Sequence, residues 1–178
     1  MLNTTLSRIN ALQDFETLHG RARWARWWNR LAGKPRTLLS FAEVQEYLPQ
    51  TTPYYRGIQE IPVEEITGSV GRVGDFDRSF RPLNDGLRER WAQVKGLLET
   101  TGWEPIDVYQ VGNIYFVEDG HHRVSVARSV GITSIEARIH QYPAPIDLCP
   151  QDTIQQIMAR LQAACCPMIV TAVSCCEC

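Results

Sequence analysis

The sequence predicts an α+β domain, a small mixed sheet with flanking helices and an N-terminal helical extension. Three observations carry that expectation. PIDVYQVGNIYFVED alternates polar and apolar residues on both sides of Gly112-Asn113, the length and chemistry of a tight β-hairpin. Its second arm runs straight into a helical pattern over 121–130 that closes at Gly131, and SIEARIHQY then returns as a strand with Ile135, Ala137 and Ile139 facing one way. Upstream, residues 85–100 place Leu87, Trp91, Val94 and Leu98 near a period of 3.6, which is an amphipathic helix.

The remaining elements follow from spacing and punctuation. Residues 3–32 read as a helix, with Leu6, Ile9, Leu12 and Phe15 on one stripe, Trp24, Trp28 and Leu31 extending it, and Gly20 as a candidate break. Gly33 and Pro35 end it. Ser40 and Glu43 form a capping box for a short helix, Phe41 to Leu48, stopped by Pro49. IQEIPVEEI reads as a short strand and GSVGRVGDFDRSFRP as a long loop, while 152–164 reads as a last helix. The expected organisation is a helical extension over 1–55, the α+β domain over 56–148, and a C-terminal helix with a cysteine-rich tail over 149–178.

At 178 residues, with 44% hydrophobic and 21% charged residues, the chain suits one compact core. The net charge of −2 names no partner. The N-terminus lacks the basic start and apolar block of a secretory signal, and no run approaches the ~18 apolar residues of a span, so the expected location is the cytoplasm, with no membrane span. All six cysteines lie in the last thirty residues, which is no disulfide framework.

The most chemical stretch is DGHHR, residues 119–123, between the second hairpin strand and the helix. With Asp119 as N-cap, the first N–H groups of the helix and the positive end of its dipole form a place that attracts anions. Gly120 lets a phosphate approach the backbone. On the helical wheel Val124, Val126, Ala127 and Val130 share a sheet-facing arc that includes Arg123, so Arg123 requires a carboxylate or a bound anion. His121 and His122 point to the mouth of the site or to solvent, where they can donate hydrogen bonds or move a proton. Without a ligand, Asp119 is only a cap, Arg123 pairs with a structural carboxylate, and the histidines are surface residues.

These residues resemble the ParB/sulfiredoxin-like fold family, the ParB-like nuclease domain superfamily, in which a strand ends in a glycine-containing signature with an arginine at the start of a helix. The resemblance covers roughly residues 58–142. The DGHHR form, Asp119 to Arg123, looks like that of free-serine-kinase-like members. His121 stands where sulfiredoxins carry their cysteine, so the resemblance does not extend to catalysis by a thiol. ParB proteins have a glutamate and paired arginines where this chain has His121, His122 and Arg123, and the residues that follow leave no room for their DNA-reading domain. The kinase-like resemblance implies binding of a nucleotide with Mg²⁺ and phosphoryl transfer to a small hydroxyl substrate, with an acid among Glu64, Glu65, Asp75 and Asp77 acting on the acceptor. The loop then completes the pocket: Arg72, and Arg78 with it, neutralises phosphate and Asp75 or Asp77 is base or magnesium ligand. The implied catalytic set is Asp75, Asp77, Asp119, His121 and His122. The phosphate-binding set is Gly120, His121, His122, Arg123 and Arg72, with no protein metal site assigned. Otherwise the loop is an ordinary surface connection, since it is no Walker motif.

Two further constellations stand apart. Arg21, Arg23, Arg26 and Arg30 interleave with Trp24, Trp27 and Trp28, a pattern that serves nucleic-acid contact, an acidic membrane surface or simple helix packing. Cys175, Cys176 and Cys178 lack the two-residue spacing of zinc knuckles, and His19 and His140 read as lone structural or exposed histidines. The leading expectation is therefore a nucleotide or phosphorylated small molecule bound at Asp119 to Arg123. The alternatives are a ParB-like, DNA-associated regulator without turnover and a non-catalytic interaction module with an occluded site.

Overall fold

The computed structural model describes residues 2–32, 37–49, 52–98, 100–144 and 146–165, excepting the side chains of 2–4, 26–32 and 165. The cysteine-rich tail from residue 166, and the side chains of Arg26, Trp27, Trp28, Arg30 and Leu31, lie outside the described residues.

The fold is α+β. Helix α1 (Leu2–Ala32) precedes β1 (Leu39–Ser40), α2 (Phe41–Gln45), β2 (Tyr54–Pro62), β3 (Ile66–Ser69), α3 (Arg88–Leu98), β4 (Ile106–Val111), β5 (Ile114–Asp119), α4 (His121–Val130), β6 (Ser134–Tyr142) and α5 (Ile154–Cys165). The six strands form one mixed sheet in the order β1-β3-β5-β4-β6-β2. Strands β3 and β5 run parallel, β4 and β5 are the antiparallel hairpin, and β4 and β6 are parallel. From the loop onward the expected order of helix, hairpin, helix and strand is the one observed. Among the described residues, no helix is long and apolar enough to cross a membrane.

Period-2 alternation puts a core on each side of the sheet. In β5, Tyr115 and Val117 enter one cluster while Ile114 and Phe116 enter the other, so this strand is buried on both faces. The first cluster holds Phe15 of α1, Trp91 of α3 and Val124, Val126 and Ala127 of α4. The second lies under Phe41 and Val44 of α2 and Ile157 and Leu161 of α5.

Several expectations need correction. IQEIPVEEI is not one strand, because after Pro62 a 3₁₀ turn (Val63–Glu65) redirects the chain into a separate β3. Residues 1–55, expected as a helical extension, also contribute to the sheet and cores: β1 pairs with β3, α2 covers the second core, and α1 packs on α3. Phe15 meets Trp91 edge-on at 6.0 Å between ring centroids, and ion pairs Arg8–Glu89, Arg88–Glu16 and Lys95–Asp14 flank the contact. The buried stripe of α1 is Ala11, Phe15 and Ala22, whereas Leu6 and Ile9 are exposed. Gly20 does not interrupt the helix. The short helix ends at Gln45, and Ser40 makes no side-chain capping bond.

Because α1 shares a core with α3, Phe15→Ala should destabilise the whole domain by about 3–5 kcal/mol in urea unfolding followed by circular dichroism. A loss below ~1 kcal/mol would mean that α1 is peripheral.

Candidate functional site

Strands β3 and β5 are parallel neighbours, so their C-terminal ends lie side by side, and α4 starts immediately beyond β5. At that point a cleft of about 180 Å³ opens, lined by Arg72 from the loop after β3, Arg90 and Val94 of α3, Glu118 and Asp119 of β5, and Gly120, His121, His122 and Arg123.

Its backbone differs from the expectation in one respect. The N-cap is Gly120, not Asp119, which ends β5. Gly120 has φ of 106°, and a Cβ there would lie 2.4 Å from Ile106 Cγ2. The glycine is therefore required by the left-handed turn and by packing on β4.

Arg123 is largely buried, as its inward position demands. Its guanidinium donates to the Glu104 and Pro105 carbonyls at 2.7 and 2.9 Å and pairs with Asp119. These bonds tie α4 to the start of β4. The cations presented more openly are Arg72, whose Nη1 lies 3.5 Å from Asp75, and Arg90, which makes no ion pair among the described residues.

Both histidines line the cleft, one of the two placements expected of them, and both are more deeply covered than that expectation implied. His121 is 5% exposed and His122 is half-buried. The helical wheel accounts for the sheet and for nothing else. Here the loop after β3 folds over the start of α4, stacking Phe76 on His121 at 6.1 Å between centroids and edge-on against His122 at 5.6 Å. Phe76 and Phe80 are fully buried, so this segment is not an ordinary surface connection. Asp77 shapes it by accepting from the backbone N–H of Ser79 and Arg81 at 2.9 and 3.0 Å and from the Arg81 guanidinium. Phe80 is the only described non-glycine residue with positive φ, at 56°.

Burial pushes both histidines from the usual 6.5 down to about 4. Arg72 and His122 add to this at His121 and Asp119 opposes them; Arg72 and Arg90 add to it at His122, against Asp75 and Asp119. Both rings are thus neutral at pH 7.

The structure therefore brings Arg72, Asp119, Gly120, His121, His122 and Arg123 together, with Asp75 beside Arg72. The other residues nominated with them serve elsewhere. Asp77 is occupied within its own loop, and Arg78 donates to the Pro150 and Asp152 carbonyls at 2.7 and 3.0 Å. Glu64 lines a different cavity with Arg128 and Gly131, at the opposite end of α4, and Glu65 lines neither. Sequence reasoning missed Arg90, Glu118 and Ser69. Ser69 is fully buried, and its Oγ lies 2.8 Å from His121 Nε2. Its signal was the strand end ITGS, obscured once Gly68 and Ser69 were assigned to a loop.

The depressed histidines predict an acid-labile fold. Between about pH 6.5 and 4 the unfolded chain binds protons that the folded rings refuse, so stability is complete above that window and falls as pH drops through it. Urea midpoints measured at closely spaced pH values should decline there, and the double variant His121→Asn/His122→Asn should flatten the decline. An equally steep decline in that variant would assign the effect to other groups.

No protein-family model matches the chain, and no curated protein matches it. Among solved structures, the chain is similar to sulfiredoxin from Arabidopsis thaliana, with 25% sequence identity and a TM-score of 0.37, over 47% of this chain and 84% of that one.

Proposed function

We propose that the protein binds a nucleotide or phosphorylated small molecule, with its phosphate seated at the start of α4 between Arg72 and Arg90. The observation that carries this reading is the convergence of two arginines and the N-terminus of a ten-residue helix on one cleft. The helix dipole and both guanidiniums favour negative charge, and the neutral histidines can contribute hydrogen bonds. At about 180 Å³ the cleft is smaller than the ~300–1,000 Å³ of a pocket that engulfs a drug-sized ligand. It suits a phosphate group, with the rest of the ligand lying outward.

Phosphoryl transfer is the further step of this reading. Asp75 is its acid, since it sits beside Arg72 and Asp77 is committed to the loop. Glu118 and Asp119 are the carboxylates on the cleft wall, but no group of three or more metal-ligating side chains occurs among the described residues.

Thermal shift tests the binding. A nucleotide or phosphorylated ligand at 100 times its dissociation constant should stabilise the protein by about 2.7 kcal/mol. Arg72→Ala/Arg90→Ala should abolish the shift without altering the unliganded melt by more than ~1 kcal/mol. No shift with any phosphorylated compound, or a full shift in the double variant, would refute the reading.

One observation favours a second reading, nucleic-acid contact through α1. Trp24 is 67% exposed, flanked by the exposed Arg21 and Arg23. If this face binds DNA, affinity should fall steeply with salt and Arg23→Ala/Arg26→Ala should flatten that slope. Salt-independent binding, or an unchanged slope in the variant, would remove it.

A further inference from the structure

The buried Ser69 hydroxyl has two polar neighbours, both at 2.8 Å: the Arg72 backbone N–H, which can only donate, and His121 Nε2. A hydroxyl has one proton to place and two lone pairs. If Nε2 carried the imidazole proton, Oγ would accept twice and its own proton would be buried with no acceptor. If Oγ–H donates to Nε2, the hydroxyl proton, the Nε2 lone pair and the Arg72 N–H are all paired, and the ring proton stands on Nδ1. The His121 ring is held by Phe76 and Phe80, at 6.1 and 6.5 Å between centroids, and by that hydrogen bond.

We propose that Ser69 is a positioning residue of the cleft: its hydroxyl donates to Nε2 and fixes His121 in the tautomer that carries its proton on Nδ1. That N–H is then a neutral donor for a bound phosphate oxygen. With the Nε2 lone pair engaged, His121 is a hydrogen-bond donor to the ligand and not the base that deprotonates an acceptor hydroxyl. Only the step from tautomer to ligand rests on the phosphate reading; the tautomer follows from the hydrogen bonds.

Ring ¹⁵N shifts of His121, read by NMR in the unliganded wild type at pH 7, test the assignment. The expected pattern is a protonated Nδ1 and an unprotonated Nε2; the reverse overturns it. In Ser69→Ala the single tautomer should be lost, with a proton population appearing on Nε2, and an unchanged pattern removes Ser69 from the role. Should that variant not fold, the wild-type spectrum still decides the tautomer. Adding inorganic phosphate to the wild type should then move the Nδ1–H resonance. Phosphate that binds without moving it overturns the donor role, whereas absence of phosphate binding counts against the reading of the cleft and leaves the tautomer result standing.

Discussion

No side chain fits between β5 and α4. Gly120 must turn through a left-handed backbone while pressed against Ile106, and the site depends on that turn. It directs the first N–H groups of α4 into the space beyond the sheet and sends Arg123 back to the start of β4. Arg123 secures the turn through the Glu104 and Pro105 carbonyls and Asp119, and so acts as a fastener. Arg72 and Arg90 supply the more open positive charge, from a loop and a helix that the turn brings within reach.

The second constraint is the cover. Asp77 organises the loop after β3 so that Phe76 and Phe80 close over His121. That cover excludes water and, with the arginines nearby, makes a charged imidazole unfavourable. Two adjacent histidines that suggest proton transfer in the sequence are therefore neutral at physiological pH. Phe80 keeps a left-handed backbone with a full side chain in place, a local strain maintained by its burial beside His121 and over the Arg128 guanidinium, 5.2 Å from its ring.

What was legible in the sequence was local. The hairpin, α4 with its terminal Gly131, β6 and the buried face of α3 follow from alternation, turn chemistry and helical periodicity, each spanning a few residues. The inward aim of Arg123 came from the same periodicity. The wheel was wrong at Val130, the last residue of α4, which is 45% exposed. It did not foresee how deeply the histidines are covered, because a helix has more than one neighbour, and the loop about forty residues upstream is invisible to it. Ser69 and Arg90 were missed for a related reason, since Ser69 meets His121 through the parallel pairing of β3 with β5 and Arg90 reaches the cleft through the packing of α3 on α4. Asp77 looked like chemistry and proved to be architecture, a distinction that requires its four donors to be seen.

The proposed anion site lies at the start of α4, where Gly120 shapes the turn and Arg72 lines the cleft. Amide chemical-shift mapping during titration with inorganic phosphate tests it most directly, because it needs no knowledge of the ligand. The largest, saturable changes should fall on the backbone N–H groups of Gly120 to Arg123 and on Arg72. Changes centred on α1, or at the Arg128 end of α4, with residues 120–123 unmoved, would contradict it.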